Sequence, residues 1–180
     1  MKKVYTIGHS NRDEGSFLRL LEIHGIRRIV DIRRFPKSSI SPHFSGKNLE
    51  VLLRERNIDY FWIPELGGYR KEGLKNSPNR AIKSEMFRNY ADYMLSDEFQ
   101  HEFERLKEII EERTSALMCA EKFFWICHRK FLSDFLVLKG YTVLHIIDEG
   151  KTVEHKISRL ARVEGEKLIY DICAPGNRKF

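Results

Sequence analysis

The 180-residue sequence has no long apolar run. Nothing in it approaches the roughly 18 consecutive apolar residues of a membrane span. Its first residues, MKKVYTIGHS, also lack the long apolar core of a signal peptide. We therefore expect a cytoplasmic protein that does not enter a membrane.

Cysteine is also scarce, with only three in the chain. An odd count without a framework-like spacing argues against structural disulfides and favours reduced thiols. Internal repeats, low-complexity tracts and obvious linkers are absent as well. We expect residues 1–180 to form a single domain.

Charged residues are abundant, and basic residues outnumber acidic ones. Charged residues make up 32% of the chain, hydrophobic residues 42%, and the net charge is +6. This balance is typical of a globular protein. The excess of positive charge favours an anionic partner, either a small molecule or a nucleic acid, although a purely solvating role is equally compatible.

Strand-like and helix-like segments alternate along the chain. The sequence predicts strands at KVYTIGHS, RRIVDIRR, IDYFWIP, SALMCA and TVLHII. It predicts helices at 15–24, around NLEVLLRER, in two parts from Ala81 onward that meet near Ser96-Asp97, and at 127–139. A sixth strand is expected after a turn at Glu164-Gly165. Such alternation implies right-handed crossovers and a mostly parallel sheet. We predict a single three-layer α/β domain with an open sheet of about five or six strands, flanked by helices.

Residues suited to catalysis or to anion binding follow four of the predicted strands. The candidates are His9 and Ser10, Asp31 and Arg33, Gly67 and Gly68, and Cys119 and Glu121. Ligands of open α/β sheets bind beyond the carboxyl ends of the strands, so these residues should converge on one site. Taken singly, each has a structural alternative: His9 bonded to a loop carbonyl, Asp31 and Arg33 as an ion pair, the glycines in a turn with positive φ, and Cys119 as a small buried side chain.

Two long connections border the same edge. The segments RFPKSSISPHFSG and ELGGYRKEGLKNSPNR both exceed the usual loop of an α/β unit. They mix basic, aromatic and hydroxyl side chains, including Ser38, which suits contact with phosphates and flat rings. The alternative is that they are solvated surface loops.

The stretch MCAEKFFWICHR places Cys127, His128 and Arg129 at the start of a predicted helix. A helix start favours an anion, and Arg129 could bind phosphate or carboxylate with two N–H groups. A cysteine beside histidine and arginine has its thiolate favoured. Structural zinc normally requires four ligands in tightly spaced pairs, which this stretch does not supply, so we expect no metal and no cofactor.

Five motifs in this order, TIGHS, DIRRFPKSS...HF, Y..IPELGGYR, MCAE....CHR and HI, resemble the uncharacterised domain-of-unknown-function family 488. The resemblance extends from Thr6 to about Ile146. It implies a small cytoplasmic protein of bacteria or archaea with no settled activity. Its signature positions here are His9, Ser10, Asp31, Arg33, Pro36, Ser38, Gly67, Gly68, Cys119, Glu121, Cys127, His128 and Arg129. The segment KFFW, between Glu121 and Ile126, is bulkier than the family's usual turn.

The leading hypothesis is an enzyme that acts on a phosphate-bearing nucleotide or nucleic acid. Cys119 or Cys127 would be the nucleophile, His9 or His128 the general acid or base, and Glu121 or Asp31 would orient the imidazole or act as the base. Ser10, Arg33, Ser38, Gly67, Gly68 and Arg129 would bind the substrate. The alternatives are a non-catalytic nucleic-acid or nucleotide binding module and a thiol redox sensor. The sequence does not indicate an oligomeric state.

Overall fold

The computed structural model of the chain describes residues 2–37 and 41–172. Its strands are β1 Lys2–Gly8, β2 Arg28–Asp31, β3 Asp59–Trp62, β4 Ser115–Cys119, β5 Tyr141–Asp148, β6 Lys151–Glu154, β7 Ala161–Glu164 and β8 Lys167–Tyr170. Its helices are α1 Glu14–Ile23, α2 Gly46–Arg54, α3 Glu85–Tyr93, α4 Asp97–Glu112 and α5 Arg129–Leu138. Short 3-10 turns occupy Pro42–Phe44, Pro64–Leu66 and Phe124–Ile126.

Six strands form one sheet in the order β3-β2-β4-β1-β5-β6. The first five strands in this order are parallel, and β6 pairs antiparallel with β5. The strands β7 and β8 form a separate antiparallel hairpin. The predicted α/β class with a mostly parallel open sheet is therefore confirmed.

Helices cover both faces of the sheet. One apolar cluster packs side chains of α1 and α2 against Ile7, Ile29 and Met118. The other packs α3, α4 and α5 against Val4, Val30 and other strand residues. Because side chains alternate across a strand, neighbouring residues of one strand enter different clusters. This explains why the central strands carry apolar residues on both faces.

Side-chain caps determine where helices begin. Asp13 Oδ1 accepts a hydrogen bond from the Ser16 amide at 2.8 Å, and Ser96 Oγ accepts one from the Phe99 amide at 3.2 Å. Such caps satisfy amides that have no partner within the helix. The Ser96 cap separates α3 from α4, at the position where the sequence predicts the break.

The structure differs from the predicted elements in several places. Helix α3 begins at Glu85 rather than at Ala81, and Ser84 is its N-cap. Helix α5 begins at Arg129 rather than at residue 127, because Cys127 is extended (φ −125°, ψ 153°) after a 3-10 turn. The edge strand β6 was not predicted, since its exposed residues carry no buried alternation. The tail forms the β7–β8 hairpin around Gly165, whose φ is +60°. Within the described residues, no helix has both the length and the apolar character needed to cross a membrane.

Candidate functional site

A cavity of about 330 Å³ opens at the carboxyl edge of the sheet. Its walls come from the segments that follow β1, β2, β3 and β4, together with the turn before α5 and the start of α3. Strands β1 and β4 are neighbours, yet α1 and α5, which follow them, lie on opposite faces of the sheet. The connections therefore diverge and leave a crevice between them, as expected at a switch point of strand order.

Most of the residues predicted from the sequence lie at this cavity. Those that line it are His9, Arg33, Gly68, Cys119, Glu121, Cys127 and His128. Asp31, Ser10, Gly67 and Arg129 do not line it, and they lie behind or beside residues that do. Ser38 lies outside the described residues.

Cys127 is surrounded by hydrogen-bonding groups. Its Sγ lies 3.5 Å from Nδ1 of His128 and accepts a hydrogen bond from Nε of Arg129 at 3.4 Å. Burial by itself would raise the pKa of this thiol. The Cys119 hydrogen bond and the positive charges of His128 and Arg129 outweigh burial and hold the pKa of Cys127 well below its usual value. Of the two thiols, Cys127 is thus the one whose surroundings favour the thiolate.

The pKa of Cys119 is shifted in the opposite direction. Its hydrogen bond to Cys127 and its burial raise the pKa of Cys119 well above the usual value for a thiol. Cys119 is therefore held as a thiol, and its Sγ lies 3.9 Å from Nδ1 of His128. The two cysteines differ in role because one negative charge at the site disfavours a second.

His9, Asp31 and Arg33 form a buried group on the other side of the cavity. Nε of Arg33 donates to Asp31 Oδ1 at 2.9 Å, and Nη1 lies 3.1 Å from Nε2 of His9. Tyr60 Oη also donates to Asp31, at 2.7 Å. The structural alternative for Asp31 and Arg33, an ion pair, is thus present, and Arg33 still lines the cavity.

His9 is held as a neutral imidazole. Its Nδ1 bonds the carbonyl of Ser10 at 2.8 Å, so Nδ1 carries the proton and Nε2 accepts from Arg33. Burial, the largest cause, lowers the pKa of His9 to about 4. At neutral pH His9 is therefore not a proton donor to the cavity.

Arg129 lies behind the sulfur of Cys127 rather than in the cavity. The residue is only 1% exposed. Besides Cys127, it donates to Thr6 Oγ1 at 3.3 Å and to the carbonyl of Glu121. Because its N–H groups are engaged within the protein, the geometry favours a role in supporting Cys127 over direct contact with a substrate.

Close contacts leave no room for a side chain at Gly67 or Gly68. A Cβ on Gly68 would lie 2.6 Å from Cγ of His128, and one on Gly67 would lie 2.6 Å from the amide nitrogen of Arg34. Neither glycine has positive φ, so the turn interpretation made from the sequence is wrong. The two glycines instead allow the loop after β3 to lie directly against His128 and Arg34.

Several lining residues were not singled out from the sequence. They are Arg34, Phe35, Lys37, Tyr69, Met86, Phe87, Ala120 and Ile126. Four of them belong to the two long loops, whose mixture of basic and aromatic side chains indicated contact with phosphates and rings. Met86 and Phe87 lie on α3, where apolar periodicity gives no sign of a cavity.

One cluster in the described residues has the donors for a metal ion. The ligand atoms of Cys119, Cys127 and His128 all lie within 4.8 Å of one another. Three donors of this kind suit an open zinc site, whereas a closed structural site requires four. The guanidinium of Arg129, bonded to Cys127, adds a positive charge that disfavours a cation at this position.

The chain belongs to the family described as domain of unknown function DUF488, whose model matches residues 15–136. No curated protein and no solved structure gives a significant match to the chain. The matched region includes β2 to β4 and most of α5, and with them every lining residue of the cavity except His9.

We predict that Cys127 reacts with iodoacetamide faster than Cys119 at neutral pH, by about tenfold or more, because thiolate is the nucleophile. Thiolate predominates above the thiol pKa, so the lowered pKa of Cys127 moves the rise of its rate to lower pH. Peptide mass mapping after timed alkylation between pH 5 and 9 resolves the two cysteines. A rate for Cys127 that rises only near pH 8.5 or above would contradict the assignment.

We also predict that the purified, untagged protein carries no stoichiometric metal. No fourth histidine, cysteine or carboxylate joins the three donors among the described residues. Elemental analysis after purification without chelators measures the metal content. About one zinc per chain would overturn this expectation, and Cys127→Ser should then lower the zinc content.

Proposed function

We propose that the protein is an enzyme that acts on a phosphate-bearing nucleotide or nucleic acid, with Cys127 as its nucleophile. The observation that carries this proposal is the position of Cys127. Its sulfur is paired with His128 and Arg129, and the residue borders a cavity that is also lined by basic side chains. A lowered thiol pKa at a cavity is typical of reactive cysteines.

The cationic groups of the cavity support a phosphate-bearing substrate. Arg34 and Lys37 line it and form no salt bridge in the described part of the chain, whereas Arg33 is paired with Asp31. Glu121 is the one acidic residue of the lining. The wall thus favours an anion, and the net charge of +6 adds long-range attraction.

Aromatic side chains at the mouth support a substrate with a flat ring. Phe35 and Tyr69 are 66% and 57% exposed, and their ring centroids are 6.1 Å apart. Exposed rings beside basic groups are suited to stacking on bases while phosphates are neutralised. A nucleotide or a single-stranded nucleic acid combines both features.

The reaction that these groups suit is cleavage of a phosphate ester or anhydride. The thiolate of Cys127 attacks phosphorus, so an S–P bond forms while the P–O bond to the leaving group breaks. The imidazolium of His128 gives its proton to the leaving oxygen. Glu121 then accepts a proton from water, which attacks phosphorus, breaks the S–P bond and regenerates the thiolate. Transfer of that proton from Glu121 to His128 restores the starting state.

We expect turnover of at least one member of a panel of nucleotides and short single-stranded oligonucleotides, followed by chromatography and mass spectrometry. Cys127→Ser should lower turnover by about a thousandfold or more, because a serine hydroxyl is a far weaker nucleophile here. Cys119→Ser retains a hydrogen-bond donor and should cost less than about tenfold. Intact mass should reveal a covalent adduct on Cys127.

Lys37→Ala should raise KM with little change in kcat if Lys37 binds a phosphate in both ground and transition states. Lys107 on α4, which pairs with Glu104, provides the matched control, and Lys107→Ala should leave both constants unchanged. Salt-dependent binding without any product, unaffected by Cys127→Ser, would instead support a non-catalytic binding module.

A thiol redox sensor is the second candidate, favoured by the proximity of Cys119 and Cys127. A thiolate next to a thiol is the pairing from which a disulfide forms on oxidation. Such a sensor would act in the reducing cytoplasm, where we expect the protein to reside. Mild peroxide followed by peptide mapping should yield a Cys119–Cys127 disulfide that dithiothreitol reverses. Oxidation of Cys127 to sulfinic acid without any disulfide would count against this role.

A further inference from the structure

A chain of buried hydrogen bonds extends from Arg129 away from the cavity. Thr6 Oγ1 lies 2.7 Å from Nδ1 of His145, whose Nε2 lies 2.8 Å from Nδ1 of His155. Nε2 of His155 lies 2.8 Å from Oδ1 of Asp134. The chain thus leads from the thiolate side of the site to Asp134, which lies on α5.

All members of this chain are shielded from water. Thr6 and His145 are fully buried, Asp134 is 1% exposed and His155 is 7% exposed. The ring of Phe124 stacks on His145, with centroids 3.5 Å apart and planes 7° from parallel. Polar groups buried to this degree are costly unless they are paired, so the arrangement needs a reason beyond packing.

With both histidines neutral, a single set of donors and acceptors satisfies every hydrogen bond of the chain. A carboxylate only accepts, so the bond to Asp134 places the proton of His155 on Nε2. The Nδ1 of a neutral His155 then accepts from Nε2–H of His145. Nδ1 of His145 accepts in turn from the hydroxyl of Thr6. That hydroxyl oxygen is left free to accept from Arg129, which can only donate.

We propose that Thr6, His145, His155 and Asp134 form a buried relay of positioning residues that holds Arg129 against the sulfur of Cys127. The relay offers one consistent set of donors and acceptors, with a cation at one end and an anion at the other. Protonation of either histidine would reverse or break a bond in it. The relay therefore orients the guanidinium and keeps its charge beside the thiolate.

The far end of the relay is itself anchored. Oδ2 of Asp134 accepts a hydrogen bond from Oη of Tyr170 at 2.8 Å, and Oδ1 accepts one from the amide of Ser158 at 2.8 Å. The β7–β8 hairpin, which carries Tyr170, is thereby linked to the candidate site. This gives the C-terminal hairpin a role that neither the sheet nor the cavity requires.

The inference rests on the proposed role of Cys127 as the reactive thiolate. The titratable groups that face this sulfur are Cys119 at the end of β4, His128 before α5, Arg129 and Lys130 on α5, and Tyr90 on α3. Of these, Arg129 is the one that the relay contacts. A change within the relay should therefore act on the thiolate through Arg129.

Thr6→Val tests the relay, because it removes the hydroxyl that connects Arg129 with His145 and keeps the shape of the side chain. We expect the iodoacetamide rate of Cys127 at pH 7 to fall about tenfold, with its pH profile displaced upward, since hydrogen bonds to charged groups are among the stronger ones. Thr142→Val, the same change on β5 outside the relay, should leave the profile unaltered. Tyr170→Phe should also displace the pH profile of Cys127 upward, but by less than Thr6→Val does.

A Cys127 profile unchanged from wild type in both Thr6→Val and Tyr170→Phe, with only a lower melting temperature, would overturn the relay. If Thr6→Val does not fold, the relay is tested by the Cys127 alkylation profile of Tyr170→Phe and by the tautomers of His145 and His155. Long-range 1H–15N NMR on the wild-type protein should find His145 and His155 neutral with the proton on Nε2, and an Nδ1–H form of either would also overturn it.

The same measurements separate the relay from the proposed function. Alkylation needs no substrate, so shifted profiles without any turnover would support the relay and count against the enzyme. If the alkylation rate of wild-type Cys127 rises only near pH 8.5, the enzyme proposal and the relay are both contradicted, because both assume a lowered pKa of this thiol. A lowered wild-type profile that none of the relay variants alters would refute the relay alone.

Discussion

The buried guanidinium of Arg129 is the constraint on which the site depends. A cation removed from water is tolerated only where acceptors surround it, and an unpaired one costs several kcal/mol. Here the acceptors are the sulfur of Cys127, the hydroxyl of Thr6 and the carbonyls of Glu121 and Lys122. One lies on β1, two lie in the turn directly after β4, and Cys127 lies just before α5. Satisfying one side chain thus fixes the end of β4, the turn after it, and β1 relative to one another.

This requirement explains a glycine at the end of β1. A Cβ on Gly8 would lie 1.8 Å from the carbonyl oxygen of Glu121, which is the oxygen that accepts from Arg129. Only a residue without a side chain lets the turn after β4 pass this close to β1. The backbone contact and the charge pairing therefore depend on each other. Gly68 plays a similar part on the opposite wall, where it makes room for the ring of His128.

The parts that could be predicted from the sequence were those with a local signal. Apolar runs bounded by polar residues gave the central strands, and parallel topology then collected His9, Arg33, Cys119 and Cys127 at one edge. The relay had no such signal, because its members lie on different elements and meet only after folding. His145 lies within the predicted strand TVLHII, but nothing in the local pattern indicates His155 as its partner.

The position of the site follows from how the sheet is wound. The chain first adds β2 and β3 on one side of β1 using α1 and α2 on one face, then returns across the other face and inserts β4 between β1 and β2. In the sheet, β4 is therefore flanked by β1 and β2. The helices that follow β1 and β2 pack on one face of the sheet, whereas the helix that follows β4 packs on the other. A strand in that position delivers its last residue, Cys119, into the space between the diverging connections, which is the cavity of the candidate site. The polar groups of the site are gathered there because this is where backbone packing leaves room for a ligand.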